Sequence, residues 1–396
     1  MNGTFSANLT WQRSFISFLL GQGFSQLTSD KSMYRKVTPA TGGDQTMIIG
    51  LYPTTIYSLS SHNGPGSLFE STSASISALD YTDAGSLLTD LMTVECDTSV
   101  HGHIRLHQRE FIKSIIALFS DANSRPSHRS SRTPSDPSII DHVLHAVYSD
   151  LDPNDASRLN VTQSASFRDL VLALTHCASN TRPDIAFATG YVSRGLDNPT
   201  NDLLADALRI LYYLEDNLDI GLTYRTSEKP LYGMSDSDWA LRRSTSGWLF
   251  SYASCAISWA SSEQPSIALS SCEAEVMAAS EAAIAATQLD HLLSDLGLSL
   301  GEPISLGLDN KAARDLAYNP EHHDKTKHIP RKYFWLRELV EEHRITVPYV
   351  NTLDNMADFF TKSLPAKSFF KMRDHIMNIG STATSGREER GGVAAL

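Results

Sequence analysis

Hydrophobic and polar positions change rhythm several times along the chain. Residues 1–122 mix apolar runs, as at 11–20 and 47–57, with Gly- and Ser-rich joints. Residues 123–137, NSRPSHRSSRTPSDP, hold almost nothing apolar and read as a linker. Through 138–229 apolar residues recur at three- and four-residue steps, as in Phe167, Leu170, Val171, Leu174 and Leu203, Ala207, Leu208, Leu211, Leu214, which predicts helices. From residue 231 the period shortens to that of strands, predicted at 232–237, 248–253 and 256–260. A long Ala-, Glu- and Leu-rich helix is expected over 270–296, with Ser270 or Ser271 as its N-cap and Gly297 and Gly301 marking its end. Next come a strand at 304–308, a helix opening at Asn310, a helix over 332–343, a strand at 345–350 and a last helix from Asn355. That order predicts an α/β domain over 230–366, a mixed five-stranded sheet with flanking helices. Residues 367–396 form a tail, and from Gly380 on it has no core-forming pattern.

Composition narrows the class. The 396 residues are enough for two or three domains, and 41% hydrophobic with 20% charged residues describes a globular chain. A net charge of −12 excludes a generally basic surface, so nucleic acid would have to meet local positive charge or bound cations. The four cysteines, Cys96, Cys177, Cys255 and Cys272, form no CxxC pair and read as small buried hydrophobes. No window is apolar for the roughly 18 residues of a membrane span, and MNGTFSANLTWQR is no signal peptide. An intracellular protein that contacts no membrane is expected.

Four carboxylates carry the candidate chemistry. Asp236 lies in or just beyond the first strand of the 230–366 domain, Glu275 early in the long helix, and Asp309 at the end of the fourth strand, where α/β sites gather. Asp358 interrupts an apolar stretch, Met356-Ala357-Asp358-Phe359-Phe360, where an unpaired charge is costly. Carboxylates are the ligands Mg²⁺ prefers, and two such ions about 3.5–4 Å apart can activate water and stabilise the leaving oxygen of a phosphodiester. Asp238, Glu273 and Glu281 read as solvated acids or caps, and Asp309 before Asn310 has a capping alternative.

These same segments resemble the RNase H domain of copia-type retrotransposon polyproteins over 231–364. The matching stretches are YGMSDSDWA, RRSTSGWLF, AISWASSEQPSIALSSCEAEVMAASEAA, LDNKAARDLAYNP, HDKTKHI and YVNTLDNMADFFTKSL. The resemblance implies an RNase H-like fold, a site of Asp236, Glu275, Asp309 and Asp358 holding two Mg²⁺ (or Mn²⁺) ions, and cleavage of the RNA strand of RNA–DNA hybrids. Upstream, the stretch from LALTHCASNTRPDIAFATGYVSRG to LDIGLTY resembles the thumb or connection region of such polyproteins, assigning 138–229 to it. Residues 11–36 and IRLHQREFIKSIIALF resemble their polymerase palm. At the palm's catalytic turn the family carries Tyr-Val-Asp-Asp where this chain has Leu51-Tyr52-Pro53-Thr54-Thr55. Thr54 and Thr55 are poor Mg²⁺ ligands, so residues 1–122 are expected to be a palm remnant without polymerase activity.

Substrate contact is expected from Arg242, Arg243, Lys325, Lys327, His328 and Arg331, with Phe334 read as core. His322, His323 and His328 lack a zinc-spaced partner. The turn after Ala240 is shorter than the family's, and Pro330 stands where a non-proline residue is usual. The competing expectation is a catalytically silent protein that binds nucleic acid or a partner through the same fold.

Overall fold

The computed structural model describes residues 5–40, 43–51, 56–61, 65–77, 93–120, 133–149, 152, 155–227, 230–240, 242–318 and 335–380. They fall into two compact units.

The first unit comprises Met1–Leu88 and Thr287–Gly301. Helices α1 (Phe5–Gly21) and α2 (Leu68–Ser77) accompany an antiparallel sheet of β1 (Ser25–Gln26), β2 (Met33–Thr38), β3 (Gln45–Leu51) and β4 (Ile56–Ser60), paired in that order. Every second residue of β3 is buried, Met47, Ile49 and Leu51, so one sheet face meets Phe15, Leu19 and Leu68 from the helices. Asp295 accepts from the backbone nitrogens of Thr28 and Ser29, and its hydrogen bonds to Ser29 first pull its carboxyl down to about 2. Thr54 and Thr55 lie outside the described residues.

The second unit comprises Thr89–Ala286 and Glu302–Leu396. It holds two sheets. β5 (Glu95–Asp97), β6 (His103–His107) and β7 (Leu222–Arg225) form an antiparallel trio. β8 (Tyr232–Asp238), β9 (Thr245–Tyr252), β10 (Cys255–Glu263), β11 (Ile304–Gly307) and β12 (Ile345–Thr346) form the expected five-stranded mixed sheet, in the order β10-β9-β8-β11-β12. β8, β9 and β10 run antiparallel, while β11 lies parallel to both β8 and β12.

The helices predicted over 138–229 are α4 (Ser138–Tyr148), α5 (Val161–Asn180), α6 (Ala186–Ser193) and α7 (Asn201–Asp216), preceded by α3 (Arg109–Phe119). Asn160 opens α5 with a capping box to Gln163. Their apolar faces share one core with Leu249, Cys255 and Ala256 of the sheet and with Phe359, Phe360 and Phe369. Buried within this core is an ionic cluster. Arg182 donates to both carboxylate oxygens of Asp184 at 2.9 and 2.7 Å, and Tyr213 donates to Asp184 at 2.7 Å. Arg373 reaches Asn217 at 3.2 Å. Burial alone would raise the Asp184 pKa, but the Arg182 guanidinium outweighs it and holds the carboxyl below its ordinary value.

α8 (Ser271–Asp295) matches the expected long helix and buries a row of small residues, Ala274, Ala278, Ala279, Ala282, Ala283 and Ala286. Ser270 caps it by accepting from Glu273 N, and the Glu273 carboxylate returns to Leu269 N. Glu273 is therefore a capping acid. α9 (Lys311–Tyr318) starts at Asn310, whose side chain accepts from Ala312 N and Ala313 N. α10 (Trp335–Glu341) is the described part of the helix expected over 332–343.

Two expectations need correction. The strand predicted at 345–350 is regular only over Ile345–Thr346, with an isolated bridge between Leu308 and Tyr349. Pro348 has no N–H to give the ladder. The last helix does not begin at Asn355: 3₁₀ turns span Thr352–Asp354 and Met356–Phe360, and α11 (Ala366–Ile376) follows Pro365. The Asn355 side chain binds Ser235 O and Ala357 N, which ties this segment to β8 as a tight turn. Asp358 consequently sits in a 3₁₀ turn and not on the last helix.

Candidate metal centre

The parallel pairing of β8 with β11 sets the site. Gly307 lies opposite Met234, and two residues further along each strand are Asp309 and Asp236. Glu275, on the second turn of α8, completes a group in which one ligand oxygen from each of Asp236, Glu275 and Asp309 lies within 4.8 Å of the others. Asp236 is 2% and Glu275 6% exposed. Such a concentration of acid is unfavourable without a cation. Burial above all, then the charges of Asp236 and Asp309, push the Glu275 carboxyl up to about 8. Its Oε1 accepts weakly from Ser237 N at 3.4 Å, while Oε2 is buried with no hydrogen-bond partner, as are the hydroxyls of Ser235 and Ser237.

Three buried or half-buried carboxylates with an orphaned oxygen fit a hard divalent cation. Without such an ion Glu275 binds a proton instead, with a stability consequence. The unfolded chain releases that proton near the ordinary 4.5 and the folded chain only near 8. Stability therefore falls as pH rises between those values, by at most about 1.4 kcal/mol per unit, and levels off above them. Glu275→Gln is expected to raise the melting temperature of the metal-free protein at pH 9 and to change it little at pH 4, as differential scanning calorimetry would show.

Asp358 stands on the other flank of Asp236, outside the close trio. Burial, with the Asp236 charge adding to it, moves the Asp358 carboxyl up to about 6 despite its bond to Lys362. Lys362 Nζ lies 2.7 Å from Asp358 Oδ1 and 3.3 Å from Asp236 Oδ2. Burial opposes the charge on Lys362, yet its two carboxylate partners outweigh that and raise its pKa. Thr361 Oγ1 also donates to Asp236 Oδ2. Asp238 is buried enough for its pKa to rise but is not one of the close trio.

Gly247 permits this arrangement. It pairs with Asp236 across β8 and β9, and a Cβ there would come within 2.5 Å of Thr361 Cγ2 and 2.9 Å of Phe360 Cβ. Gly247→Ala is expected to force the 356–361 turn off the sheet and cost roughly 1–3 kcal/mol. A drop in melting temperature together with weaker divalent-cation binding would check it.

The expected substrate residues are placed unevenly. Arg242 and Arg243 are exposed, Arg242 with its guanidinium 4.0 Å from the Tyr148 ring centre and Arg243 3.4 Å from Glu263. Lys325, Lys327, His328 and Arg331, with Phe334, His322, His323 and Pro330, lie outside the described residues. Sequence reasoning missed Thr361 and Lys362, although Lys362 stands four residues after Asp358, the spacing of a helical ion pair. It also missed Arg194, which donates to Thr245 at 3.0 Å and pairs with Glu263 at 3.7 Å.

No protein-family model matches the chain. It is 29% identical over 364 residues, 91% of its length, to the retrovirus-related Pol polyprotein from transposon TNT 1-94 of Nicotiana tabacum. It is 28% identical over 378 residues to the corresponding polyprotein from transposon RE1 of Arabidopsis thaliana. The chain thus belongs with the copia-type retrovirus-related Pol polyproteins, as the sequence motifs imply. It spans 26% and 24% of the length of these two relatives. It is also 38% identical over 125 residues to Secreted RxLR effector protein 161 of Plasmopara viticola. A foamy viral protease-reverse transcriptase solved with RNA/DNA hybrid overlaps 58% of the chain at 13% identity and a TM-score of 0.35, too slight a likeness to carry an argument. Among the described residues no helix is long and apolar enough to cross a membrane.

Proposed function

We propose that residues 230–366 are an RNase H-type endonuclease that cleaves the RNA strand of an RNA–DNA hybrid with the help of Mg²⁺ or Mn²⁺. The observation that carries this reading is the trio Asp236, Glu275 and Asp309, converging within 4.8 Å at the end of a parallel strand pair. Asp358 joins them as the fourth acid, beside Asp236. A divalent cation held by the trio would polarise the phosphodiester and lower the pKa of a bound water. The chain's own residues do the rest. Gly247 and Asn355 fix the 356–361 turn against β8, and Thr361 holds one Asp236 oxygen in place. Arg242, Arg243, Lys325, Lys327, His328 and Arg331 supply phosphate contacts.

In the same reading, 1–122 is a polymerase-palm remnant without synthesis, 123–137 a linker, 138–229 the thumb- or connection-like region and 367–396 the tail. Thr54 and Thr55 stand where the palm's metal-binding aspartates would be. The rival reading is a silent hybrid- or partner-binding protein. One observation favours it: Lys362 already neutralises part of the acidic pocket.

The test is incubation of the full chain with Mg²⁺ and end-labelled RNA–DNA hybrid, single-stranded RNA, double-stranded RNA or double-stranded DNA. RNA cut in the hybrid alone, leaving 3′-hydroxyl and 5′-phosphate ends, supports the nuclease. Retention of hybrid without any cutting supports the rival.

A further inference from the structure

The acidic pocket has two sides of different character. On one side, Asp236, Glu275 and Asp309 bring ligand oxygens within 4.8 Å of one another, and the buried Glu275 Oε2 has no partner. On the other, the space between Asp236 and Asp358 holds an ammonium group. Lys362 Nζ contacts Asp358 Oδ1 at 2.7 Å and Asp236 Oδ2 at 3.3 Å, and Thr361 donates to that same Asp236 oxygen.

We propose that Lys362 takes the place a second divalent cation would otherwise occupy, so that the pocket binds one ion on Asp236, Glu275 and Asp309. This rests on the reading of the pocket as a divalent-cation site and assigns its ion count. Two oxygens that already receive a lysine and a threonine are poor ligands for another cation. An incoming divalent ion would also meet a unit positive charge at contact range, in surroundings that screen charge weakly. Lys362 has little room to withdraw on its own. Its backbone N donates to Asp358 O, and the preceding turn is fixed by Asn355 on Ser235 and by its close approach to Gly247. One side of Asp236 is thereby neutralised by a built-in cation and the other is left for metal.

The test is a Mn²⁺ titration of the full chain without nucleic acid, counted by calorimetry and by electron paramagnetic resonance. One ion is expected for the wild type and for Lys362→Arg, and two magnetically coupled ions for Lys362→Met. Two ions in the wild type, or one in a folded Lys362→Met variant, would overturn the proposal. Asp358→Asn decides the matter even if Lys362→Met does not fold. It is expected to keep one ion at an affinity within about threefold of wild type, whereas a loss of about tenfold or more would make Asp358 a ligand and overturn the assignment. A wild type that binds no Mn²⁺ at all would sink the metal-site reading itself, a different failure from a wrong count.

Discussion

Asp236→Asn is expected to slow hybrid cleavage on the order of 10³-fold or more while leaving the fold intact. The substitution is nearly isosteric and keeps an oxygen that can accept from Thr361, so the 356–361 turn retains its anchor. What it removes is a charge that every other member of the site depends on. Asp236 shares the metal trio with Glu275 and Asp309, and it faces Lys362 on its other side. An amide oxygen binds a hard divalent cation far more weakly than a carboxylate. Single-turnover rates would report the loss, and an unchanged circular dichroism spectrum would show that the fold persists. Asp309→Asn should behave alike, since Asp309 occupies the matching position beyond β11. Cleavage at the wild-type rate by either variant would remove these carboxylates from the chemistry.

The largest stability loss is expected far from that pocket, at Asp184. Asp184→Ala leaves the Arg182 guanidinium, 0% exposed, facing an empty space where two charge-assisted hydrogen bonds were. Removing one partner of a buried ion pair costs about 3–5 kcal/mol. Tyr213 loses its acceptor as well. Over a unit of this size that corresponds to a fall in melting temperature of roughly 10 °C. Tyr213→Phe removes only one hydrogen bond and should cost about 1–2 kcal/mol. The pH dependence follows from the lowered Asp184 pKa. The stabilisation is complete above the ordinary carboxylate range and is lost as pH falls through the lowered folded-state value, so Asp184→Ala should flatten the acid limb of the stability profile. Calorimetric melting of the variants between acid and neutral pH measures both effects.

The sequence shows the five-stranded sheet well because its signals are local. Alternation marks β8 and β9, and the Ser270–Glu273 cap with its Ala-rich run marks α8. Asp236, Glu275 and Asp309 are legible for the same reason: each sits at a definable place on a strand or helix, and the parallel β8–β11 register brings the two strand acids level. The errors have local causes too. Pro348 shortens β12, a signal present in the sequence. The stretch 356–360 looks helical by composition but is held as a 3₁₀ turn by Asn355 reaching Ser235, a partner 120 positions away.

Such long-range partners explain what was missed. Nothing near Arg182 in sequence reveals that Tyr213 and Arg373 will enclose it with Asp184. The spacing of Asp358 and Lys362 suggests a pair, but Lys362 becomes part of the site only because β8 brings Asp236 to the same ammonium.

The central claim is that Asp236, Glu275 and Asp309 form a divalent-cation centre. Its most direct test is a Mg²⁺ titration followed by thermal melting at pH 8, comparing wild type with the triple variant Asp236→Asn, Glu275→Gln, Asp309→Asn. A ligand that binds only the folded state raises its stability in proportion to the logarithm of ligand concentration once the site is saturated. The account predicts that wild type melts progressively higher with Mg²⁺. The triple variant, freed of buried repulsion, should start higher than metal-free wild type and not respond. Equal Mg²⁺-dependent shifts in both proteins would contradict it.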